Sequence, residues 1–551
     1  MRSVASGGVR FHHPAAFWAG TAAVTVGVVL HVPMYAGARD MGYHLAGMGV
    51  DVPMTVGMVL VLTGLGATVY GLFPSLSTGP TGTARIRVRA LDDARLSRAH
   101  AGLLLVMAAA VTIDVMKPVT LSFVVPGMAR EYGLQSPLNP GGTVPVAYLA
   151  LFGITGTVLG SFLWGWLGDR IGRRASILLA GVLFIATAVC GSMPDYRWNF
   201  VMCFVMGLGV GGMLPITFAL LAETVPARHR GWLMVLVGGD VAGAYIITSW
   251  LSAELTPTYG WRILWLLGLP TGLLLILLNR WIPESPRFLI QNGRDAEARA
   301  VIRRYGARLV EGGDSELEVE AGVRGGWAQL AARPFQGLSG VVVLFGLGVG
   351  LVTFGFQLWI PSNLQRLGFD EVTSSTILRD SALLGFPATF LIAALYGFWS
   401  SKKTMIVLGL VTAASLLGFV VLGDRVADNR ARLDLLLILP ITGISSILAV
   451  LVAYASETFP TRIRSRGTGL AAGASKVGGV AVIALVVAGT TPPSIAATAL
   501  IGAVPLTLGA LATGVFGVET RRRRLEDITA EELGASGAAP LGIGTTRTSP
   551  P

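Results

Sequence analysis

Long apolar segments alternate with short polar segments along almost the whole chain. A segment of roughly twenty apolar residues is long enough for an α-helix to cross about 30 Å of hydrocarbon. About fourteen such segments occur, which predicts an all-α integral membrane protein with about fourteen spans. The predicted spans cover 16–36, 52–73, 102–128, 144–167, 175–193, 200–221, 231–252, 263–282, 340–361, 377–399, 405–422, 435–455, 467–487 and 495–516.

The composition agrees with this pattern and narrows the function classes. Of the 551 residues, 53% are hydrophobic and 13% are charged, which is too apolar for a soluble protein of this length. The two cysteines, Cys190 and Cys203, lie in predicted helices and provide neither a disulfide framework nor a metal-ligand spacing. The six histidines are scattered, without the arrangement of a metal site or a catalytic nucleophile. We therefore predict no metal, no cofactor and no enzymatic activity.

Basic residues are concentrated in alternate loops, which predicts the orientation in the membrane. Cytoplasmic loops retain lysine and arginine, so this distribution places both termini on the cytoplasmic side of the cell membrane. The net charge of +11 then reflects topology and contact with anionic lipid, and no nucleic-acid partner is expected. We expect a monomeric, multi-pass protein whose surroundings are the lipid bilayer.

A short charged signature occurs twice, each time after a long apolar segment. The two copies run from Glu223 to Arg230 and from Glu457 to Arg464. In both, the glutamate precedes a proline by three residues and the arginine follows that proline by four. Such a match between distant halves predicts two equivalent helix bundles related by pseudo-symmetry. Secondary transporters use this architecture to alternate access to a central site.

Two further loops carry motifs of a known family. The segment from Gly165 to Arg174 reads Gly-Trp-Leu-Gly-Asp-Arg-Ile-Gly-Arg-Arg, and the segment from Pro283 to Leu289 reads Pro-Glu-Ser-Pro-Arg-Phe-Leu. The first resembles the hallmark loop of the major facilitator superfamily, and the second resembles a motif of its sugar-porter branch. The duplicated signature and the segment 518–528 are also similar to that branch. The resemblance extends from 102 to about 528.

The resemblance implies a twelve-helix core of two pseudo-symmetric six-helix bundles. The helix that holds Asp114 is then the first core helix, and the two helices before it are an addition. We expect five units along the chain. They are two additional transmembrane helices with a basic cytoplasmic linker (1–100), the first bundle (101–282), a cytoplasmic loop with short helices (283–338), the second bundle (339–517) and a largely disordered cytoplasmic tail (518–551).

The resemblance also implies a cytoplasmic gate, a salt-bridge cluster that is closed in the outward-facing state and broken in the inward-facing one. The alternative is that these residues are solvated loop charges that serve topology alone. Ser401 stands where the first half has Asp169, so we expect the gate to be weaker in the second half. The predicted gate residues are Gly165, Asp169, Arg170, Gly172, Arg173, Arg174, Glu223, Arg230, Glu284, Arg287, Glu457 and Arg464.

Four charged residues fall inside predicted spans: Asp114, Lys117, Asp240 and Lys476. A charge in the membrane interior is costly and usually faces a cavity or a partner. The chain has only four lysines among its 42 basic residues, and two of them are in this set. Since a buried lysine can lose its proton and an arginine cannot, these lysines suggest groups that titrate or bind an anion. The resemblance implies that Asp114, on the first core helix, carries the coupling proton. We expect Lys117 to modulate it and Lys476 to bind an anionic substrate; structural ion pairs are the alternative.

The aromatic and polar residues of the central helices indicate the substrate class. Together with the lysines, Tyr245, Gln357 and Trp359 suit a small organic anion, such as an aromatic acid, better than a polyol. The overall prediction is a secondary active transporter of a small organic solute, working by alternating access with proton symport. A proton-driven exporter of the same fold is the first alternative. The fifth-helix motif of such exporters contains a proline, and this chain has none between Gly238 and Gly243. A non-transporting membrane sensor is the second.

Overall fold

The computed structural model describes residues 8–73, 94–136, 139–306, 327–459, 461–488 and 494–521. These residues form helices and no named β-strand, which confirms the all-α prediction. Thirteen helices are long and apolar enough to cross a membrane, and the 25-residue helix Ala147–Ile171 makes a fourteenth. We number them α1 Pro14–Gly37, α2 Val52–Leu72, α3 Arg98–Glu131, α4 Ala147–Ile171, α5 Arg173–Ser192, α6 Tyr196–Thr224, α7 Arg228–Tyr259, α8 Ile263–Trp281, α9 Gln336–Arg366, α10 Glu371–Trp399, α11 Ser401–Asp428, α12 Arg430–Thr458, α13 Thr461–Ala488 and α14 Ile495–Phe516.

Helices α3–α8 pack against one another, and so do α9–α14, while α1 and α2 form an added hairpin beside α5. Two short helices, Pro286–Gln291 and Asp295–Arg304, follow α8 in the loop between the two sets. We call the side that carries them the inner side, following the predicted orientation, and the opposite side the outer side. The sets α3–α8 and α9–α14 are called the first and the second bundle below.

Helices α4 and α6 cross with their backbones almost in contact. A Cβ atom at Gly207 of α6 would lie 2.0 Å from the carbonyl oxygen of Gly153, and one at Gly156 of α4 would lie 2.2 Å from that of Phe204. Lipid supplies no hydrophobic force between helices, so such pairs depend on small residues and close van der Waals contact. The glycines therefore fix the spacing of the two helices at mid-membrane.

The two helices of the added hairpin are also in close backbone contact through glycines. Five of its glycines occur at seven-residue intervals within their helices, and a Cβ atom at any of these five would lie within 2.7 Å of the facing helix. A seven-residue repeat keeps one face of a helix against its partner along its whole length. These glycines are Gly20, Gly27, Gly57, Gly64 and Gly71.

Both ends of the hairpin are bonded to the first bundle or to its loop helix. On the inner side, the backbone of Gly8 accepts a hydrogen bond from Arg294 Nη2 at 2.7 Å and donates one to Glu297 Oε2 at 3.1 Å. On the outer side, the backbone amides of Leu45 and Ala46 donate to Glu131 Oε1 at 2.7 and 3.0 Å. The hairpin is therefore bonded to the first bundle at its outer end and to the following loop segment at its inner end.

The two bundles meet mainly through α7 with α10 and α12, and through α4 with α13. In the outer half, the hydroxyls of Ser252 and Ser375 lie 3.2 Å apart across the α7–α10 contact. In the inner half, a Cβ atom at Gly238 of α7 would lie 2.6 Å from the Cβ atom of Ala449 of α12. The described residues thus bring the bundles together on both sides of the membrane centre.

The α4–α6 crossing provides a matched pair of glycine variants. We expect Gly207→Ala to lower the apparent unfolding temperature in detergent by several degrees, because overpacking costs about 1–3 kcal/mol. Gly153→Ala is the control, since a Cβ atom there would meet nothing closer than 3.8 Å. Equal unfolding temperatures for the two variants would contradict this account of the crossing.

Candidate transport site and gates

The loop between α4 and α5 on the inner side is organised by Glu284. This carboxylate is 1% exposed and accepts hydrogen bonds from the backbone amides of Arg173 at 2.8 Å, Ser285 at 2.9 Å and Arg174 at 3.3 Å. Arg173 begins α5, so the carboxylate lies at the positive end of that helix dipole. Burial raises the pKa of Glu284, although these amide donors act in the opposite direction.

Position 172 in this loop requires a glycine. Its φ of 93° lies in the left-handed region, where a Cβ atom is disfavoured. A Cβ atom there would also lie 2.3 Å from Glu284 Oε2. The glycine therefore allows Glu284 to reach the start of α5.

The second bundle repeats this arrangement with Glu519. This residue follows α14, and its Oε1 accepts hydrogen bonds from the backbone amide of Ser401 at 3.0 Å and from its hydroxyl at 2.7 Å. Ser400 donates its hydroxyl to the other carboxylate oxygen. Partial burial acts to raise the pKa of Glu519, but the hydrogen bonds from Ser400 and Ser401 outweigh it and lower the pKa. Since Ser401 begins α11, Glu519 binds the start of that helix as Glu284 binds the start of α5.

The two copies of the duplicated signature meet across the bundle interface. Glu457, near the end of α12, accepts hydrogen bonds from Tyr396 and Thr520, both at 2.7 Å. It also interacts electrostatically with Arg230, near the start of α7 in the other bundle. A Cβ atom at Gly231 would lie 2.5 Å from Glu457 Oε1, so the two inner helix ends are in close contact.

The remaining predicted gate residues divide into two groups. Arg173 donates to the carbonyl oxygen of Gly168 at 3.2 Å, and Arg174 donates to Asn279 Oδ1 at 3.3 Å, so both hold the inner end of the first bundle. The others stay predictions, because their side chains lie outside the described part of the structure. They are Asp169, Arg170, Glu223, Arg287 and Arg464, and Gly165 belongs with them.

A charged contact joins the bundles on the outer side as well. Arg130 Nη2 of α3 lies 2.6 Å from Glu371 Oε2 of α10. The neighbouring Glu131 is paired with Arg262 at 2.6 Å, and Arg262 is fully buried. Arg130 and Glu371 lie at helix ends, where charged residues are common and do not stand out in the hydrophobic pattern. Neither was predicted as a gate residue. Among the described residues, charged groups of the two bundles therefore interact on both the inner and the outer side.

Asp114 lies at the centre of this arrangement. Its side chain is fully buried in α3, and neither carboxylate oxygen has a hydrogen-bond partner among the described residues. It interacts electrostatically with Lys476 of the second bundle and with Lys117 of its own helix. A buried carboxylate without hydrogen bonds is costly when ionised, so this position is suited to taking up a proton.

Lys476 reaches across the interface from α13. Its Nζ donates to the hydroxyl of Ser161 on α4 and to the carbonyl oxygen of Gly211 on α6, the latter at 3.1 Å. The lysine of the second bundle is therefore bonded to the first bundle at mid-membrane, beside Asp114.

Lys117 has a different environment, although it is only three residues from Asp114. Its Nζ donates to Thr271 Oγ1 of α8 at 3.0 Å and lies 5.6 Å from the ring centre of Phe184 of α5. The side chain is buried within the first bundle. Its position favours a role inside that bundle over direct contact with the second one.

Asp240 and Tyr245 lie on α7, which is interrupted at Asp240. Thr112 of α3 donates its hydroxyl to Asp240 Oδ2, so this carboxylate links α7 to the helix of Asp114. The ring of Tyr245 lies 5.7 Å from that of Phe123, and its buried hydroxyl has no hydrogen-bond partner among the described residues.

Gln357 and Trp359 follow a π-helical turn of α9, Val352–Phe356. Gln357 Nε2 donates to the carbonyl oxygens of Pro440 at 2.6 Å and Ile441 at 3.3 Å, within a second π turn on α12. Trp359 is fully buried. In this arrangement both side chains contribute to packing of the second bundle, and a role in substrate binding stays a prediction.

Two six-helix bundles that meet around buried charges are the architecture typical of secondary transporters. Residues 102–483 match the Major Facilitator Superfamily, and the chain belongs to this family. It is a membrane transporter and not an enzyme. The matched region begins after the added hairpin.

Similar proteins include transporters of small metabolites. A niacin transporter, NiaP, of Acinetobacter baylyi is 24% identical over 416 residues, which cover 72% of this chain and 88% of that protein. A 4-hydroxybenzoate transporter, PcaK, of the same organism is 26% identical over 408 residues, covering 71% and 85%. The xylose transporter XylE from E. coli, solved in a partially occluded inward open conformation, has a TM-score of 0.60 at 18% identity. That comparison covers 77% of this chain and 99% of XylE, and it shows the shared fold.

The two helix-capping glutamates should respond to pH in opposite ways. The lowered pKa of Glu519 means that its ionised form stabilises the folded protein above the ordinary glutamate pKa of 4.5, and that this stabilisation is lost as the pH falls. The raised pKa of Glu284 means that ionisation costs stability as the pH rises through the folded-state pKa, above 4.5.

We therefore expect Glu519→Gln to lower the unfolding temperature most at neutral pH, and Glu284→Gln to lower it most in mildly acidic buffer. Differential scanning fluorimetry of both variants and the parent between about pH 3.5 and pH 7.5 checks this, because that range spans the ordinary glutamate pKa and glutamine does not titrate within it. The same pH trend in both variants would contradict the assignment.

Proposed function

We propose that this transporter moves a small organic anion together with a proton, and that Asp114 and Lys476 carry the coupling. The observation behind the proposal is the position of Asp114. This fully buried carboxylate lies beside a lysine that belongs to the opposite bundle and is bonded to the first one. One charge pair thus joins the site of proton uptake to the bundle interface.

The coupling follows from charge compensation. Without substrate, the Lys476 ammonium offsets the negative charge of Asp114. An anion that binds Lys476 removes the compensation by this lysine. The ionised carboxylate then has only the attraction of Lys117 and no hydrogen bonds in a low-dielectric environment. Protonation of Asp114 restores neutrality, so one anion and one proton occupy the protein together.

The similar proteins favour an aromatic carboxylic acid as the anion. Niacin and 4-hydroxybenzoate are each a planar ring with one carboxylate. A carboxylate is a natural partner for the Lys476 ammonium, and a planar ring can pack against aromatic side chains such as Tyr245 and Phe123. We therefore propose this substrate class for the present chain.

Alternating access would use the two charged contacts between the bundles. Arg130–Glu371 on the outer side and Arg230–Glu457 on the inner side cannot both persist when one side opens. Partly exposed ion pairs contribute about 0–1 kcal/mol each, which biases a two-state equilibrium without locking it. The capping carboxylates Glu284 and Glu519 lie behind the inner contact and hold α5 and α11 in place.

The direct test uses purified protein in liposomes, with labelled nicotinate and 4-hydroxybenzoate as probes. Asp114→Asn should abolish accumulation driven by a pH gradient but keep exchange of labelled for unlabelled probe, because exchange needs no net proton movement. Lys476→Gln should weaken probe binding about tenfold or more, since a hydrogen bond to a charged group contributes ~1.5–3 kcal/mol.

Lys403→Gln is the matched control, because Lys403 is exposed at the inner end of α11 and should keep both activities. Uphill accumulation by Asp114→Asn would refute proton coupling through this residue. Parent-like binding of both acids by Lys476→Gln would refute the role of the lysine.

The two gates can be tested by cysteine labelling, because the native Cys190 and Cys203 are both buried. Ser375→Cys reports on the outer half of the interface and Ala449→Cys on the inner half. Adding Glu371→Gln should increase labelling of the outer cysteine, since it removes the outer ion pair. Adding Glu457→Gln should increase labelling of the inner one.

Glu297→Gln serves as the control for the gate variants, because Glu297 pairs with Arg294 in the loop helix and lies away from the bundle interface. It should change neither labelling rate. Equal responses of both reporters to Glu371→Gln would show that this contact does not act as a gate on one side.

A further inference from the structure

The carbonyl oxygen of Gly211 is released from the hydrogen-bond ladder of its own helix. In an α-helix each carbonyl accepts from the amide four residues later, and for Gly211 that residue is Pro215. Proline has no backbone N–H, so α6 supplies no donor at this position. A mid-membrane carbonyl without a helical donor needs another partner, since lipid offers none.

A second oxygen lies beside it. The hydroxyl of Ser161 on α4 is 2.8 Å from the Gly211 carbonyl oxygen and 2.8 Å from that of Thr157, one turn earlier in its own helix. These contacts hold the hydroxyl against α6. The close crossing makes this possible, because a Cβ atom at Gly211 would lie 2.4 Å from the Thr157 carbonyl oxygen.

The Lys476 ammonium occupies the point where these two oxygens converge. It donates to both, and Asp114 adds electrostatic attraction. An ammonium has three donors and no acceptor, so a pair of converging oxygens is suited to it. The residues that provide and position these oxygens, Ser161, Gly211 and Pro215, belong to the first bundle, whereas the lysine belongs to the second.

We infer that the Gly211 carbonyl and the Ser161 hydroxyl form a resting seat for Lys476 in the substrate-free transporter, and that an anionic substrate binds by drawing the lysine out of it. This inference rests on the proposed function for the role of Lys476 in anion binding. The seat links the bundles when no substrate is present. It also competes with substrate for the lysine, and so lowers the apparent affinity.

Two variants weaken the seat without touching the lysine. Ser161→Ala removes one oxygen, and Pro215→Ala supplies an amide donor that returns the Gly211 carbonyl to its helix. We expect each variant to bind nicotinate about three- to tenfold more tightly than the parent, because a hydrogen bond that competes with the substrate for the ammonium is lost. In substrate-free protein, each should also increase cysteine labelling at Ser375→Cys or Ala449→Cys, since a link between the bundles is lost.

Two controls make the result specific. Pro505→Ala removes a proline from the interior of α14 and should leave binding and labelling unchanged. In a Lys476→Gln background, neither Ser161→Ala nor Pro215→Ala should have a further effect, because the ammonium that the seat holds is absent.

The outcomes distinguish a failure of the proposed seat from a failure of the proposed function. Weaker or unchanged nicotinate binding, or full effects that persist in the Lys476→Gln background, would overturn the seat. If the parent binds neither nicotinate nor 4-hydroxybenzoate, the proposed substrate class fails, and labelling alone decides the seat. Unchanged labelling in both seat variants then refutes it, and increased labelling that Lys476→Gln cancels supports it.

Discussion

A carboxylate in the middle of a bilayer has to be compensated, and for Asp114 the compensation comes from two lysines, one of them on the other half of the molecule. Lys476 lies on α13, yet its hydrogen bonds go to α4 and α6 of the first bundle. The cost of an isolated buried charge therefore acts directly on the relation between the bundles. Any event that alters the charge of one group alters the contact between the halves, which is the physical requirement for coupling binding to movement.

On the inner side, the two bundles share one arrangement of a glutamate at a helix start, although their loop sequences differ. Each bundle places a glutamate after its last helix at the amino end of its third helix, Glu284 at α5 and Glu519 at α11. In the first bundle the donors are backbone amides; in the second, serine hydroxyls contribute as well. The second loop still has Ser401 at the position of Asp169, and the expectation of a weaker gate there stays a prediction.

The added hairpin is best understood as part of the first bundle. Its glycines bring α1 and α2 into backbone contact, and its two ends bond to Glu131 on the outer side and to Arg294 and Glu297 on the inner side. Glu131 already compensates the fully buried Arg262 and is adjacent to Arg130 of the outer contact. A hairpin fastened in this way braces the helix that carries Asp114 at its outer end.

Several features of this protein were determined by local sequence. Apolar segments of membrane length predicted the fourteen helices, because lipid forces each backbone segment to satisfy its own hydrogen bonds. Charges inside those segments marked Asp114, Lys117, Asp240 and Lys476, since a charge stands out against an apolar background. The hallmark loop carried the family, which the match over residues 102–483 confirms.

Only the tertiary structure decided which of these groups meet. Lys476 and Ser161 are 315 positions apart, and Arg130 and Glu371 are 241 apart, so no periodicity or spacing connects them. Glu371 and Arg130 also lie at helix ends, where charge is common and carries no signal. Lys117 and Asp114 share a helix face by spacing, yet packing turns Lys117 toward Thr271. Hydropathy is a property of single segments, whereas compensation of buried charge is a property of pairs, and pairs are set by how the helices pack.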